Sequence, residues 1–159
     1  MDTRCPSCGT RLPEGTPAWV RGLTVGHVMT RNPVTLGPED SLFRAIEVMR
    51  LHGIRRIPVL VADGLVGLLV EGDLKRAQPS PLQGSAVEYD RLMEHTSIAQ
   101  IMIRDPLTVG DDLSLLEAAR ILNTTKYGAL PVLRGRQLVG MLTDTDLSGC
   151  LVDLLSHGG

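Results

Sequence analysis

Apolar residues recur at helical spacing twice in this chain. Leu42, Ala45, Ile46 and Met49 fall at i, i+3, i+4 and i+7, and Leu115, Ala118, Ala119 and Leu122 repeat the pattern. Each set lines one face of a predicted helix. Ser41 and Ser114 stand where N-caps belong, and Ser114-x-x-Glu117 has capping-box spacing. Two continuous apolar runs follow each helix, 57–61 then 65–70, and 130–133 then 138–142. The Ala-Asp-Gly and Arg-Gly-Arg-Gln segments between them suit hairpin loops. Unbroken rather than alternating hydrophobicity predicts a sheet covered on both faces. A short extended piece, 33–36 or 106–109, precedes each helix, and a second helix begins near Glu71 or Asp144.

The two stretches are copies. Residues 28–74 laid over 101–147, a shift of 73 without a gap, give 17 identities in 47 pairs, where chance gives roughly one in sixteen. Each copy reads strand–helix–strand–strand–helix, an α/β (α+β) unit. About 50 residues cannot bury a sufficient core alone, so the repeats must pack on each other. The predicted layout is an N-terminal segment, 1–23, a first repeat, 25–77, a linker with a polar helical stretch, 78–96, and a second repeat, 97–155.

Composition narrows the function. Aromatic residues are 3% of the chain, which leaves few platforms for stacking single-stranded nucleic acid. Sixteen Lys+Arg against eighteen Asp+Glu leave a net charge of −2, with no surplus to bind nucleic acid or an anionic membrane. The longest apolar stretches, such as 57–62, run about six residues, against the ~20 of a spanning helix. Charge within Met-Asp-Thr-Arg-Cys, where a signal peptide would be apolar, points to a cytoplasmic protein. No nucleophile or metalloprotease motif accompanies the four scattered histidines, so no enzyme is expected.

The motifs in fixed order, twice, resemble a known family. Met29-x-x-x-Pro33, Pro58-Val59 and Leu65-Val66-Gly67 through Asp73 recur as Met102-x-x-x-Pro106, Pro131-Val132 and Leu138-Val139-Gly140 through Asp146. This is similar to a tandem cystathionine-β-synthase (CBS) domain pair over roughly residues 25–155. The resemblance implies a pseudo-two-fold pair and a regulatory module. Its ligand would be AMP, ADP, ATP or S-adenosylmethionine, held in clefts between the repeats. It also implies a homodimer, which the surplus of apolar helical face supports, and a separate effector protein.

Candidate ligand residues follow position by position. Gly140 through Asp146 matches the family's ribose-phosphate motif, G-h-h-[ST]-x-x-D with h apolar. Gly140 permits close approach, Thr143 offers a hydroxyl, and Asp146 can accept hydrogen bonds from ribose hydroxyls. Thr and Asp in this spacing equally cap a helix. The first repeat keeps Asp73 but has Val70 where the hydroxyl belongs, which predicts a weak or empty cleft. Arg55 and Arg56 match phosphate-facing positions, and their equivalents in the second copy, Gly128 and Ala129, are small enough to let an adenine ring slide between strands. Thr35 and Thr108 match positions near the adenine. Cys5 and Cys8, in Cys-Pro-Ser-Cys-Gly, resemble one knuckle of a zinc ribbon and supply half of a four-ligand zinc site. Cys150, a histidine or a second chain would have to complete it. The alternative is a ligand-free interaction module acting through its dimer surface or this knuckle.

Overall fold

The computed structural model of the chain describes residues 18–62, 64–80, 82 and 84–157. Helices α1 (Ala18–Arg21) and α2 (Val25–Val28) and strand β1 (Thr30–Arg31) lead into the first repeat. That repeat is α3 (Leu42–His52), β2 (Arg56–Val61), β3 (Gly64–Val70) and α4 (Glu71–Ala77). Helix α5 (Ala86–His95) and a 3-10 turn (Ile98–Gln100) lead to β4 (Ile103–Arg104). The second repeat follows as β5 (Val109–Gly110), α6 (Leu115–Thr124), β6 (Ala129–Arg134), β7 (Gln137–Thr143) and α7 (Asp144–His157).

The caps form largely where the serines predict them. Ser41 accepts the N–H of Arg44 and Ser114 that of Glu117. The Glu117 carboxylate turns to Arg120, while a reciprocal capping box forms at Ser85 and Glu88 of α5. The predicted extended pieces are shorter than expected. Leu36 makes a single parallel bridge to Val59, and β5 pairs with β6 over two residues. Pro33 and Pro106 at their starts have no N–H for a ladder.

The sheet runs β2-β3-β7-β6-β5, with the two hairpins meeting antiparallel at Gly64 and Gln137. Ile57, Pro58 and Val59 are buried in succession, as are Ala129 to Val132, so both faces are covered as the unbroken runs predict. Along the seam each repeat lends a strand to the other. β1 pairs with β7, Thr30 opposite Met141, and β4 pairs with β3, Ile103 opposite Leu68.

Each core is likewise closed by the segment that precedes the other repeat. Met93 and Ile98 seal the cluster of Leu42, Met49, Ile57 and Leu69, whereas Val25 and Met29 seal that of Ala118, Leu130, Val132 and Leu142. The backbone bonds are reciprocal under the shift of 73. Leu42 N–H donates to Thr96 and Ile98 N–H to Asp40, as Leu115 N–H donates to Leu23 and Val25 N–H to Leu113. Leu23, the last residue of the N-terminal segment, is thereby bonded to the second repeat at Leu115. Cys5 and Cys8 lie outside the described residues. Among the described residues no group of three His, Cys, Asp or Glu side chains is placed to hold a metal ion. No described helix is long and apolar enough to cross a membrane.

Candidate functional site

Thr143 ends β7 and opens α7, and its pairing with Asp146 is reciprocal. The Thr143 N–H and hydroxyl donate to Asp146 Oδ2 at 2.9 and 3.1 Å, and Asp146 N–H donates back to the Thr143 hydroxyl at 3.3 Å. So far this is a helix cap. The other carboxylate oxygen reaches across the repeat boundary. Oδ1 accepts a 2.9 Å bond from the hydroxyl of Thr30, on β1. A carboxylate offers about four acceptor positions, and these three donors leave one open.

Beside Asp146 lies a cavity of about 530 Å³. The first-repeat lead-in forms one wall with Trp19, Leu23, His27 and Val28; α7 forms the other with Thr145, Asp146, Gly149, Cys150, Asp153 and Leu154. A Cβ added to Gly149 would meet nothing within 4 Å, so the helix is open there. On the facing wall, the Thr24 N–H donates to His27 Nδ1 at 3.0 Å.

Of the residues singled out from sequence, Asp146 lines this cavity; Thr143 is bonded to it, with Gly140 three residues upstream on β7. The close approach that Gly140 allows is made by the protein itself. An added Cβ would lie 2.5 Å from Met29 Sδ and 2.9 Å from the Thr30 carbonyl oxygen. Arg56 stands at the opposite start of α7, Nη1 3.5 Å from Asp144, with its Nε buried and unpartnered. Gly128 (φ +58°) makes room there, since a Cβ would strike the Asp144 carboxylate and the Arg56 guanidinium. Ala129 is fully buried beside Leu68 and Met141. Arg55 is exposed, 3.9 Å from Glu71. Thr35 is exposed and Thr108 lines a separate cavity with Asp111 and Arg134, so neither borders the one at Asp146. At that second cavity the hydrogen bond and charge of Arg134 hold the Asp111 carboxyl below its ordinary range.

The corresponding place in the first repeat is built differently. Val70 caps α4 without a side-chain bond, and Ile103 occupies the position of Thr30. Both pack with Tyr127 on the small cluster of Leu68, Ala129 and Met141. The Asp73 carboxylate is taken by Arg76, which stands where the second repeat has Gly149. Sequence reasoning found Val70 but missed Thr30, Trp19 and Arg76. The shift of 73 carried the signal, since Thr30 and Thr143 are replaced together by Ile103 and Val70.

The sequence matches the CBS domain family over residues 25–80 and 98–153. The chain belongs to that family. It is 32% identical over 136 residues to a CBS domain-containing protein of Dictyostelium discoideum, covering 82% of this chain and 92% of that one. The inosine-5'-monophosphate dehydrogenase of Korarchaeum cryptofilum is 35% identical over 118 residues, covering 74% of this chain but only 22% of that enzyme. Among solved structures, CBSX2, a CBS-pair protein of Arabidopsis thaliana, superposes in its complex with AMP at a TM-score of 0.71. It shares 28% identity and covers 84% of this chain and 99% of its own. The mixed α+β architecture of the CBS pair is thus shared with these solved structures, and the Asp146 cavity lies between the lead-in of the first repeat and α7 of the second.

Proposed function

We propose that this CBS pair is a regulatory module that binds one adenosine-containing ligand per chain, at Asp146 of the second repeat, and passes ligand state to a partner protein. The observation that carries the reading is the Thr30–Asp146–Thr143 arrangement beside a cavity of about 530 Å³, a volume within the range of small-molecule sites. Asp146 keeps an acceptor position for a ribose hydroxyl, and the Thr30 hydroxyl on Oδ1 holds the carboxylate in place to offer it. The AMP complex of CBSX2, 28% identical, supports an adenosine ligand here. In the first repeat Arg76 on Asp73, with Val70 and Ile103 in place of two threonines, argues for a cleft without ligand.

A second copy of the chain is the proposed cover for Phe43, Leu116, Leu151, Val152 and Leu155, large apolar side chains each more than half exposed. Light scattering at tens of micromolar should report a dimer; a monomer would refute this part.

Calorimetric titration with AMP, ATP and S-adenosylmethionine tests the ligand reading. At least one should bind at one per chain. Asp146→Ala should weaken it by about 2–3 kcal/mol, the cost of losing hydrogen bonds to a charged acceptor, and Asp73→Ala by less than a third of that. Equal losses from the two substitutions, or two sites per chain, would overturn the assignment.

A further inference from the structure

Trp19 is the only tryptophan in a chain with four aromatic residues, and its side chain is 59% exposed although it borders the cavity. It precedes the region that matches the CBS family, so nothing in the duplicated motif requires it. Its place is nevertheless fixed. Single-turn α1 closes with Gly22 N–H on the Trp19 carbonyl and Leu23 N–H on that of Val20, and Leu23 is held by Leu115 N–H at 2.8 Å. The indole is thereby carried to the wall facing the open stretch of α7 at Gly149. The equivalent position before the second repeat is Leu92, on α5, which has no π-face to offer.

From this placement we infer that Trp19 closes the Asp146 cavity over the purine of the ligand, stacking on the base while Asp146 takes the ribose. The inference rests on the adenosine reading above and adds the residue that selects for the base. An exposed indole on a cavity rim gains contact area when a flat heteroaromatic ring enters, and base–aromatic stacking contributes appreciably whatever the base's hydrogen-bonding edge.

The test is titration of the full chain and its Trp19→Ala, Trp19→Phe and Asp146→Ala variants with AMP and with ribose 5-phosphate, which lacks the base. Calorimetry and the emission of the single tryptophan are read together. AMP should shift or quench that emission. Trp19→Ala should weaken AMP by about 10-fold or more and leave ribose 5-phosphate unchanged within twofold, and Trp19→Phe should recover most of the loss. Thermal unfolding of ligand-free Trp19→Ala should match the parent chain, as removal of a mostly exposed side chain predicts. Wild-type AMP affinity in Trp19→Ala, with binding lost in Asp146→Ala, would overturn the stacking role and leave the site standing. An equal loss of AMP and ribose 5-phosphate in Trp19→Ala would also overturn it. If no adenosine compound binds the parent chain by calorimetry, the site and the stacking role fall together.

Discussion

Gly140→Ala and Gly67→Ala form a matched pair of perturbations, because the pseudo-symmetry makes each the control for the other. A Cβ on Gly140 would lie 2.5 Å from Met29 Sδ and 2.9 Å from the Thr30 carbonyl oxygen; one on Gly67 would lie 2.5 Å from Met102 Sδ and 3.0 Å from the Ile103 carbonyl oxygen. The thioether can swing aside, since methionine is flexible. The carbonyls cannot, being backbone of the exchanged strands. Carbon–oxygen contacts normally stay beyond about 3.3 Å, so the β1–β7 seam must open by about 0.4 Å in Gly140→Ala. Overpacking of this kind costs about 1–3 kcal/mol. With a urea dependence of about 1–3 kcal/mol per molar, the unfolding midpoint should fall by about 1 M in either variant. Ligand affinity should separate them. Opening the seam at Gly140 displaces Thr30, whose hydroxyl holds Asp146 Oδ1, and loss of one such bond is about 0.5–1.5 kcal/mol, or about 2–12-fold in affinity. Gly67→Ala displaces Ile103, beside the cleft proposed to hold no ligand, and should leave affinity unchanged. A Gly140→Ala protein as stable as the parent would refute the packing argument. Equal affinity losses in both variants would refute the link from seam to site.

Gly149→Arg transplants the Arg76 arrangement onto Asp146, and the open space at Gly149 admits the side chain. Calorimetry should show ligand binding lost, while thermal unfolding rises slightly because arginine replaces glycine inside a helix, a gain of about 0.5–1 kcal/mol. Ala62 is held at φ +51° where the second repeat has Gly135 at φ +63°, so Ala62→Gly should raise stability by up to about 1 kcal/mol in urea titration. The depressed Asp111 carboxyl gives a pH dependence of known sign. Its pairing with Arg134 contributes fully above the unfolded-state value near pH 3.9 and is lost as the folded carboxylate protonates on further acidification. Arg134→Ala should therefore flatten the acid limb of the unfolding midpoint against pH, and do so less at high salt.

The sequence by itself determined the repeat, the helices and the hairpins, because local periodicity, caps and continuous apolar runs act over a few residues. Leu42 to Met49 and Leu115 to Leu122 announce their buried faces without reference to anything distant. The resemblance of Gly140 through Asp146 to the family's ribose-phosphate motif also marked Thr143 and Asp146. What surrounds them was decided only in three dimensions. Thr30 reaches Asp146 from 116 residues away, and Met29 fills the space above Gly140 that sequence reasoning left for a ligand. Trp19 joins the cavity because Leu23 is bonded to Leu115. These contacts arise from one tertiary event, the exchange of lead-in segments by two repeats that cannot each close a core alone. Strand exchange leaves no periodic trace in the chain, because its partners are chosen by which unpaired edge and which open core face lie nearest after the hairpins have formed.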